Sequence, residues 1–313
     1  SCSPSYCSSR CFNIACSTAG CTMTELSAGL PTQNVTPRTT RFSALNWIGF
    51  TLLLLGALLM CSPFVWMLST SIKPATEIFA FPPTLLPAHP DVSNYRRIFT
   101  VIPFARLMVN SLFVALAVTG LQLLVCSMAA FAFARLRFKG RELLFLLYLS
   151  ALMVPSQVTL IPNFIFVRSL GWIDTYAGLI LPFAFSSFGT FLLRQAFLTL
   201  PHELEEAARI DGASYWVLFS KIAVPLSLPS LGALGIFTFV AQWNNFLWPL
   251  ITTTKPEMQT LTVGLSGLRG QYNTDWALMM AGSVLAIVPI FVVFIAGNKA
   301  FIKGITSGGF GGR

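Results

Sequence analysis

Read on its own, the chain is an all-α polytopic membrane protein with six transmembrane helices. Three observations lead there. Of 313 residues, 55% are hydrophobic and only 10% charged, with a mean hydropathy of +0.72; a soluble domain carries about 25% charged residues. Six windows contain no Asp, Glu, Lys or Arg: Phe42–Ile72, Leu107–Ala134, Leu143–Val167, Thr175–Leu193, Ile222–Thr254 and Trp276–Asn298. Each reaches the ~17–25 residues a helix needs to cross about 30 Å of hydrocarbon. With the N-terminus inside, thirteen of the twenty basic residues fall on inner segments, as the positive-inside rule requires. The net charge of +9 therefore sets orientation, and no nucleic-acid partner is needed to explain it.

Five cysteines (Cys2, Cys7, Cys11, Cys16, Cys21) crowd the first 21 residues at spacings unlike a zinc site. No apolar segment precedes them to make a signal peptide. Residues 1–22 are expected to be an upstream or non-native extension, disordered and without function, and 23–43 a polar cytoplasmic tail opening at Met23. The first span runs near Ala44–Leu68. Residues 74–105 form an outer loop with six prolines, which argues against a long helix. Spans two and three flank the basic inner loop Arg135-Leu-Arg-Phe-Lys-Gly-Arg141, and Pro155 and Pro162 should kink or shorten span three. Gly171-Trp-Ile-Asp174 is a tight outer connection into span four. Span five occupies roughly Leu228–Ile251 and span six Trp276–Ala296. The chain ends in a glycine-rich inner tail. Cys61 and Cys126, inside spans, read as small hydrophobes.

Between spans four and five, residues 201–225 are the chemically richest inner segment. Pro201 suits the first helical position, and Glu203, Glu205 and Glu206 complement the positive end of the helix dipole. Glu205 and Arg209 form an i,i+4 pair. Leu204, Ala207 and Ala208 share a shallow apolar face. Gly212 suits a left-handed stop, and Ser214 caps a second helix with the stripe Tyr215, Leu218, Phe219 and Ile222, closed by Pro225. The plain alternative is a solvated acidic connector.

Glu206-Ala207-Ala208, three residues, Gly212, nine residues, Ile222, one residue, Val224 and Pro225 resemble the EAA loop of ABC-importer permeases, with Val224 in place of the usual leucine. Asp211-Gly212-Ala213 looks like the carbohydrate-uptake branch, the relatives of the maltose permease MalG. Asn110-Ser-Leu112, Ala130-Phe-Ala-Phe-Ala-Arg-Leu-Arg-Phe138, Met153-Val-Pro-Ser-Gln157, Trp243-Asn-Asn-Phe246 and Lys303-Gly-Ile-Thr-Ser307 are also similar to family segments. The likeness covers roughly residues 45–308.

The resemblance implies a type I importer (MetI-like) transmembrane domain over 44–298, with 299–313 a cytoplasmic tail. It implies that Glu206, Ala207, Ala208, Asp211, Gly212, Ile222 and Pro225 couple to a cytosolic ATPase dimer. A second permease and an extracytoplasmic sugar-binding protein would complete the assembly. This chain would bind no cofactor, leaving ATP and Mg²⁺ on the ATPase.

Polar residues within spans are the candidates for a substrate path. Gln242, Trp243, Asn244 and Asn245 form an amide–aromatic group suited to sugar hydroxyls and a pyranose face, followed by Gln122 and Asn110. The same residues equally suit hydrogen bonding between helices. A secondary transporter or channel is the alternative function. It is disfavoured because Asp174, Arg194 and Asp275 lie only at span edges. A membrane-embedded enzyme lacks any H-E-x-x-H, G-x-S-x-G, C-x-x-C or Walker A sequence.

Overall fold

The computed structural model describes residues 44–270 and 274–309, with side chains over 47–270 and 274–297. Residues 1–43 and 310–313, including the cysteine-rich segment, lie outside that range. By internal contacts the chain divides after Ala57. The described part of the first unit is the beginning of α1 (Ala44–Ser71). There Trp47 stands edge-on to Phe50, and Leu52–Leu55 are exposed.

Among the described residues of the second unit, from Leu58, the regular elements are all helices, joined by turns and coil, with one isolated bridge, Arg269 to Thr274. The segment after α1 holds α2 (Ala75–Ile78) and α3 (Asn94–Val101), so the proline-rich loop has only short helices. Buried Asn94 fastens it, its Nδ2 donating to the carbonyls of Ser71 and Lys73 at 3.2 and 3.3 Å. Helix α4 (Phe104–Arg135) is the central column. It packs most extensively on α8 (Ser187–Leu198) and α12 (Leu228–Trp243), and α12 in turn on α15 (Trp276–Gly309). Near one end of α4 the core is Cys126, Phe131, Phe197 and Phe219; towards the other it is Phe104, Leu107, Phe239 and Leu278.

Three helices, Trp47–Ser71, Phe104–Arg135 and Trp276–Gly297, are long and apolar enough to cross a membrane unbroken. The other three expected spans are interrupted, and spans three and four are bent pairs. Helix α5 (Arg141–Ser150), continued by a 3₁₀ turn to Met153, turns 98° into α6 (Ser156–Ser169). The break falls at Pro155, while Pro162 is carried inside α6. Helix α7 (Tyr176–Ile180), with a 3₁₀ turn to Phe183, meets α8 at 47°. Span five differs most from expectation, because α12 stops at Trp243 and α13 (Leu247–Thr252) starts afresh. The physical reason is Asn244. It is the C-cap: its backbone N–H makes the last i→i−4 bond, to Val240 at 3.1 Å. Its Nδ2 bonds the same carbonyl at 2.9 Å, the local side-chain bonding that favours Asn at helix ends over helix interiors. The Asn245 N–H then tightens to Gln242. Helix α15 runs on to Gly309, past residue 298 where the charge-free window ends.

Opposite the α9 end described below, Asp174 has φ +56°, a conformation that Asp tolerates better than most residues. Its carboxylate accepts the backbone N–H groups of Thr254 and Lys255 at 2.6 and 2.9 Å, and the Thr254 hydroxyl. Arg97 pairs with Asp275 at 3.1 Å. Burial raises the Asp174 pKa, but the bonds from Lys255 and Thr254 outweigh it and hold the group below its ordinary value.

Candidate functional site

Helix α9 (His202–Ile210) projects between α8 and the segment leading to α12. Pro201 stands at its N-cap, with ψ 133°, rather than at the first helical position. The C-terminus is a Schellman motif: the Ala213 N–H reaches the Ala208 carbonyl at 2.9 Å and the Gly212 N–H that of Arg209 at 3.0 Å. Gly212 has φ +81°, which a side chain would strain. Ser214 Oγ then accepts from Val217 N–H at 3.4 Å, capping α10 (Tyr215–Val217). A π-helical turn over Leu218–Ala223 and α11 (Val224–Leu226) follow. Pro225 therefore does not close this helix, which ends at Ser227 and turns 77° into α12. The wider π turn lies directly ahead of Pro225, whose ring a normal α-turn would crowd.

The helix exposes Glu206, Ala207, Leu204 and Ile210, the last at 87%. Ala208 turns inward against the Phe131–Phe219 core, where Ile222 and Val224 also pack; Asp211 and Pro225 are exposed. The expected Glu205–Arg209 pair does not form. Glu205 is buried, its Oε1 3.0 Å from Arg135 Nε, while the Arg209 guanidinium lies 5.0 Å over the Tyr215 ring.

Arg135 is the residue that sequence reasoning missed. Its side chain is 1% exposed. Nη2 donates to the carbonyls of Phe197 and of Leu200, the latter at 2.7 Å, and Nη1 meets the His202 ring at 2.9 Å. The Nε–H is not aligned for a hydrogen bond, so its contact with Glu205 is ionic. The available signal was an arginine at the end of an otherwise apolar run, Ala130-Phe-Ala-Phe-Ala134, ahead of a second arginine at 137. Nearby, Glu142 takes Arg141 and Arg194. A cleft of about 440 Å³ opens between this region and α9, lined by Arg137, Arg141, His202, Glu206 and Arg209 among others.

The in-span polar residues separate into two sets. Gln122 donates to the Phe183 carbonyl and accepts from Thr238. Asn110 donates to the Glu257 and Gln259 carbonyls and accepts from Tyr176. Trp243 is 3% exposed, stacked on Phe239, with its N–H on the Ala286 carbonyl. These three join helices, and the Trp243 ring presents no face to a solute. Asn244 is exposed, and Asn245 and Gln242 are half-buried and 3.3 Å apart. Asn245 lines a cleft of about 210 Å³ with Ser156, Gln157, Asn163, Phe183 and Trp248. Two chain breaks, at Pro155 and at Asn244–Phe246, thus meet around one polar opening. Gln157 and Asn163 were not singled out from sequence, because the fold across Pro155 brings them there. Among the described residues no group of three His, Cys, Asp or Glu side chains suits a metal.

Residues 122–306 match the family described as "Binding-protein-dependent transport system inner membrane component". The arabinooligosaccharides transport system permease protein AraQ of Halalkalibacterium halodurans is 37% identical over 86% of this chain and 97% of its own length. The sn-glycerol-3-phosphate transport system permease protein UgpE of Brucella abortus is 36% identical over 83% and 95%. The fold is also that of a crystal structure of a bacterial ABC transporter involved in import of the acidic polysaccharide alginate. The TM-score is 0.76 at 24% identity, over 85% of this chain and 100% of that one. A match covering more than half the chain, with relatives of this identity along nearly their full length, gives one conclusion: the chain belongs to the binding-protein-dependent inner membrane components, which are transport permeases of ABC importers and not enzymes.

Proposed function

We propose that this permease forms half of the translocation pathway of an ATP-driven importer for a sugar or sugar-like solute, and that residues 201–225 couple it to a separate cytosolic ATPase. The single observation that carries the coupling role is the presentation of α9. Glu206 and Ala207 stand exposed on a helix closed by a left-handed glycine, while the next carboxylate, Glu205, is drawn inward onto α4. An exposed apolar face of Leu204, Ala207 and Ile210 beside an exposed carboxylate fits a protein cleft that supplies a cation. ATP and Mg²⁺ belong on that partner.

The sugar class follows from the relatives, whose names specify arabinooligosaccharides and sn-glycerol-3-phosphate. A binding protein on the opposite face follows from the family description, with the termini and α9 cytoplasmic by the distribution of basic residues. A second permease completes the path. Within this chain, Gln242, Asn244 and Asn245 are the residues offered to solute, at the cleft shared with Gln157 and Asn163. The three edge charges that a proton-coupled carrier would need are all engaged: Asp174 with Thr254 and Lys255, Arg194 with Glu142, Asp275 with Arg97.

The test is uptake by the assembled importer in proteoliposomes. Glu206→Ala is expected to lower ATP-driven uptake more than about tenfold, since truncating one partner of a desolvated interfacial charge pair costs about 2–5 kcal/mol. Uptake and solute-stimulated ATP hydrolysis both at wild-type levels would overturn the coupling role.

A further inference from the structure

We infer that Arg135 is the positioning residue that hands the movement of α9 to α4, making the coupling segment and the central helix one mechanical unit. The inference rests on the coupling role proposed above.

The last residue of α4 has its guanidinium 1% exposed, with partners on two successive elements: the Phe197 carbonyl in α8, the Leu200 carbonyl just beyond it, and the His202 ring and Glu205 carboxylate of α9. A planar fork with donors in fixed directions holds several partners at once; a lysine ammonium does not. As a source of stability such a buried pair is poor, because desolvation offsets most of the attraction. What it supplies is register. Once Nη2 is fixed by two carbonyls, Glu205 has one place to sit, and α9 one rotation relative to α4. The other purchase of α9 is on the segment that follows it, through Ala208 and through Arg209 over the Tyr215 ring, while Leu204, Ala207 and Ile210 face outward. Arg135 is thus the tie that joins α9 to α4.

Helix α4 is the column on which α8 and α12 pack, and α12 leads to the break at Asn244–Asn245. A displacement of α9 held by Arg135 therefore moves the helix against which the solute-facing break is built. Coupling of this kind requires a contiguous element that both sites bias. Without the clamp, α9 would pivot on its flanking turns at Leu200–Pro201 and Gly212 and leave α4 behind.

The experiment uses the complete importer, with its ATPase and binding protein, in proteoliposomes. It reads solute imported per ATP hydrolysed, together with the amount of ATPase retained on the purified permease. Arg135→Lys and Glu205→Gln are each expected to lower the ratio about tenfold, inside the 5–150-fold range of measured couplings. The double variant should be no worse than the poorer single, because both changes cut one linkage. A merely structural arginine would reduce the amount of assembled complex and leave the ratio of the remainder unchanged. Should Arg135→Lys not assemble, Glu205→Gln, which keeps side-chain shape, decides alone. A wild-type ratio in Glu205→Gln, or a double-variant loss equal to the product of the singles, overturns the inference. If Glu206→Ala is defective while these variants are normal, coupling through α9 stands and only the transmission role of Arg135 falls.

Discussion

At the end of the helices that carries α9, the tie is a buried guanidinium: Arg135, 1% exposed, holding two carbonyls, a histidine and a carboxylate. At the opposite end the ties are carboxylates near solvent. Asp174 accepts the amides of the residue 254–255 segment, and Asp275 faces Arg97 with side chains 33% and 51% exposed. Exposed pairs contribute little and are screened, whereas a buried pair makes its neighbours move together or lose a partner. One end is thus built to transmit displacement and the other to hold loops in place. Both ends also depend on a glycine, for different reasons, and replacing each glycine separates the two designs.

The largest effect is expected at Gly178, near the Asp174 end. A Cβ there would collide with the backbone carbonyl of Trp172 and press on Val167 at 3.3 Å, and the Gly178 carbonyl already accepts the Trp248 indole N–H at 2.9 Å. Backbone cannot yield as a side-chain tip does, so Gly178→Ala should cost about 1–3 kcal/mol. The measurement is the unfolding temperature of the detergent-solubilised permease. An unchanged temperature would mean that α7 has room the structure denies it. Import per ATP hydrolysed by the folded fraction should remain normal.

Gly212 should behave in the opposite way. Nothing lies within 4 Å of its would-be Cβ, so the whole penalty is the left-handed backbone at φ +81°, about 1–2 kcal/mol for a non-glycine residue. Gly212→Val should abolish the ratio of solute imported to ATP hydrolysed, a far larger loss than the few-degree fall in unfolding temperature that about 1–2 kcal/mol allows. Gly212→Asn, which tolerates that conformation, should retain most of it. Equal import by the two variants would remove the turn from the coupling path.

This contrast also marks what could be read without coordinates. Gly212 and Ser214 were legible because a left-handed stop and a cap are local properties of neighbouring residues, and both stand where spacing put them. The charge-free windows likewise correspond to helical segments, whole or bent. Glu205 was misread because i,i+4 geometry offered Arg209, four residues away, while the actual partner lies 70 positions earlier in sequence, at Arg135. Trp243 and its amide neighbours read as one group, yet the ring packs on Phe239 while Asn245 turns into a cleft. Only the break made by Asn244 separates them. Proximity across the bend at Pro155, which brings Gln157 to Asn245, leaves no periodic trace in sequence.

The smallest predicted effect belongs to Asp174 and depends on pH. Burial pushes its pKa up, but the amides of Lys255 and Thr254 outweigh it and hold it below the ordinary 3.8. The stabilisation is then fully present above that unfolded-chain value and is lost as pH falls through the lower, folded one. Asp174→Asn keeps the side chain's tolerance of φ +56° while removing the charge. Unfolding temperature measured on both proteins from neutral pH down to about pH 3 should show the wild type more stable at neutrality. The gap should close below the ordinary carboxylate range. Import at neutral pH should be nearly unchanged, because this end holds loops and does not carry the displacement. A gap independent of pH would mean that hydrogen-bond geometry alone holds the segment. A loss of import as large as that of Arg135→Lys would mean that both ends transmit, and the division of labour between them would be wrong.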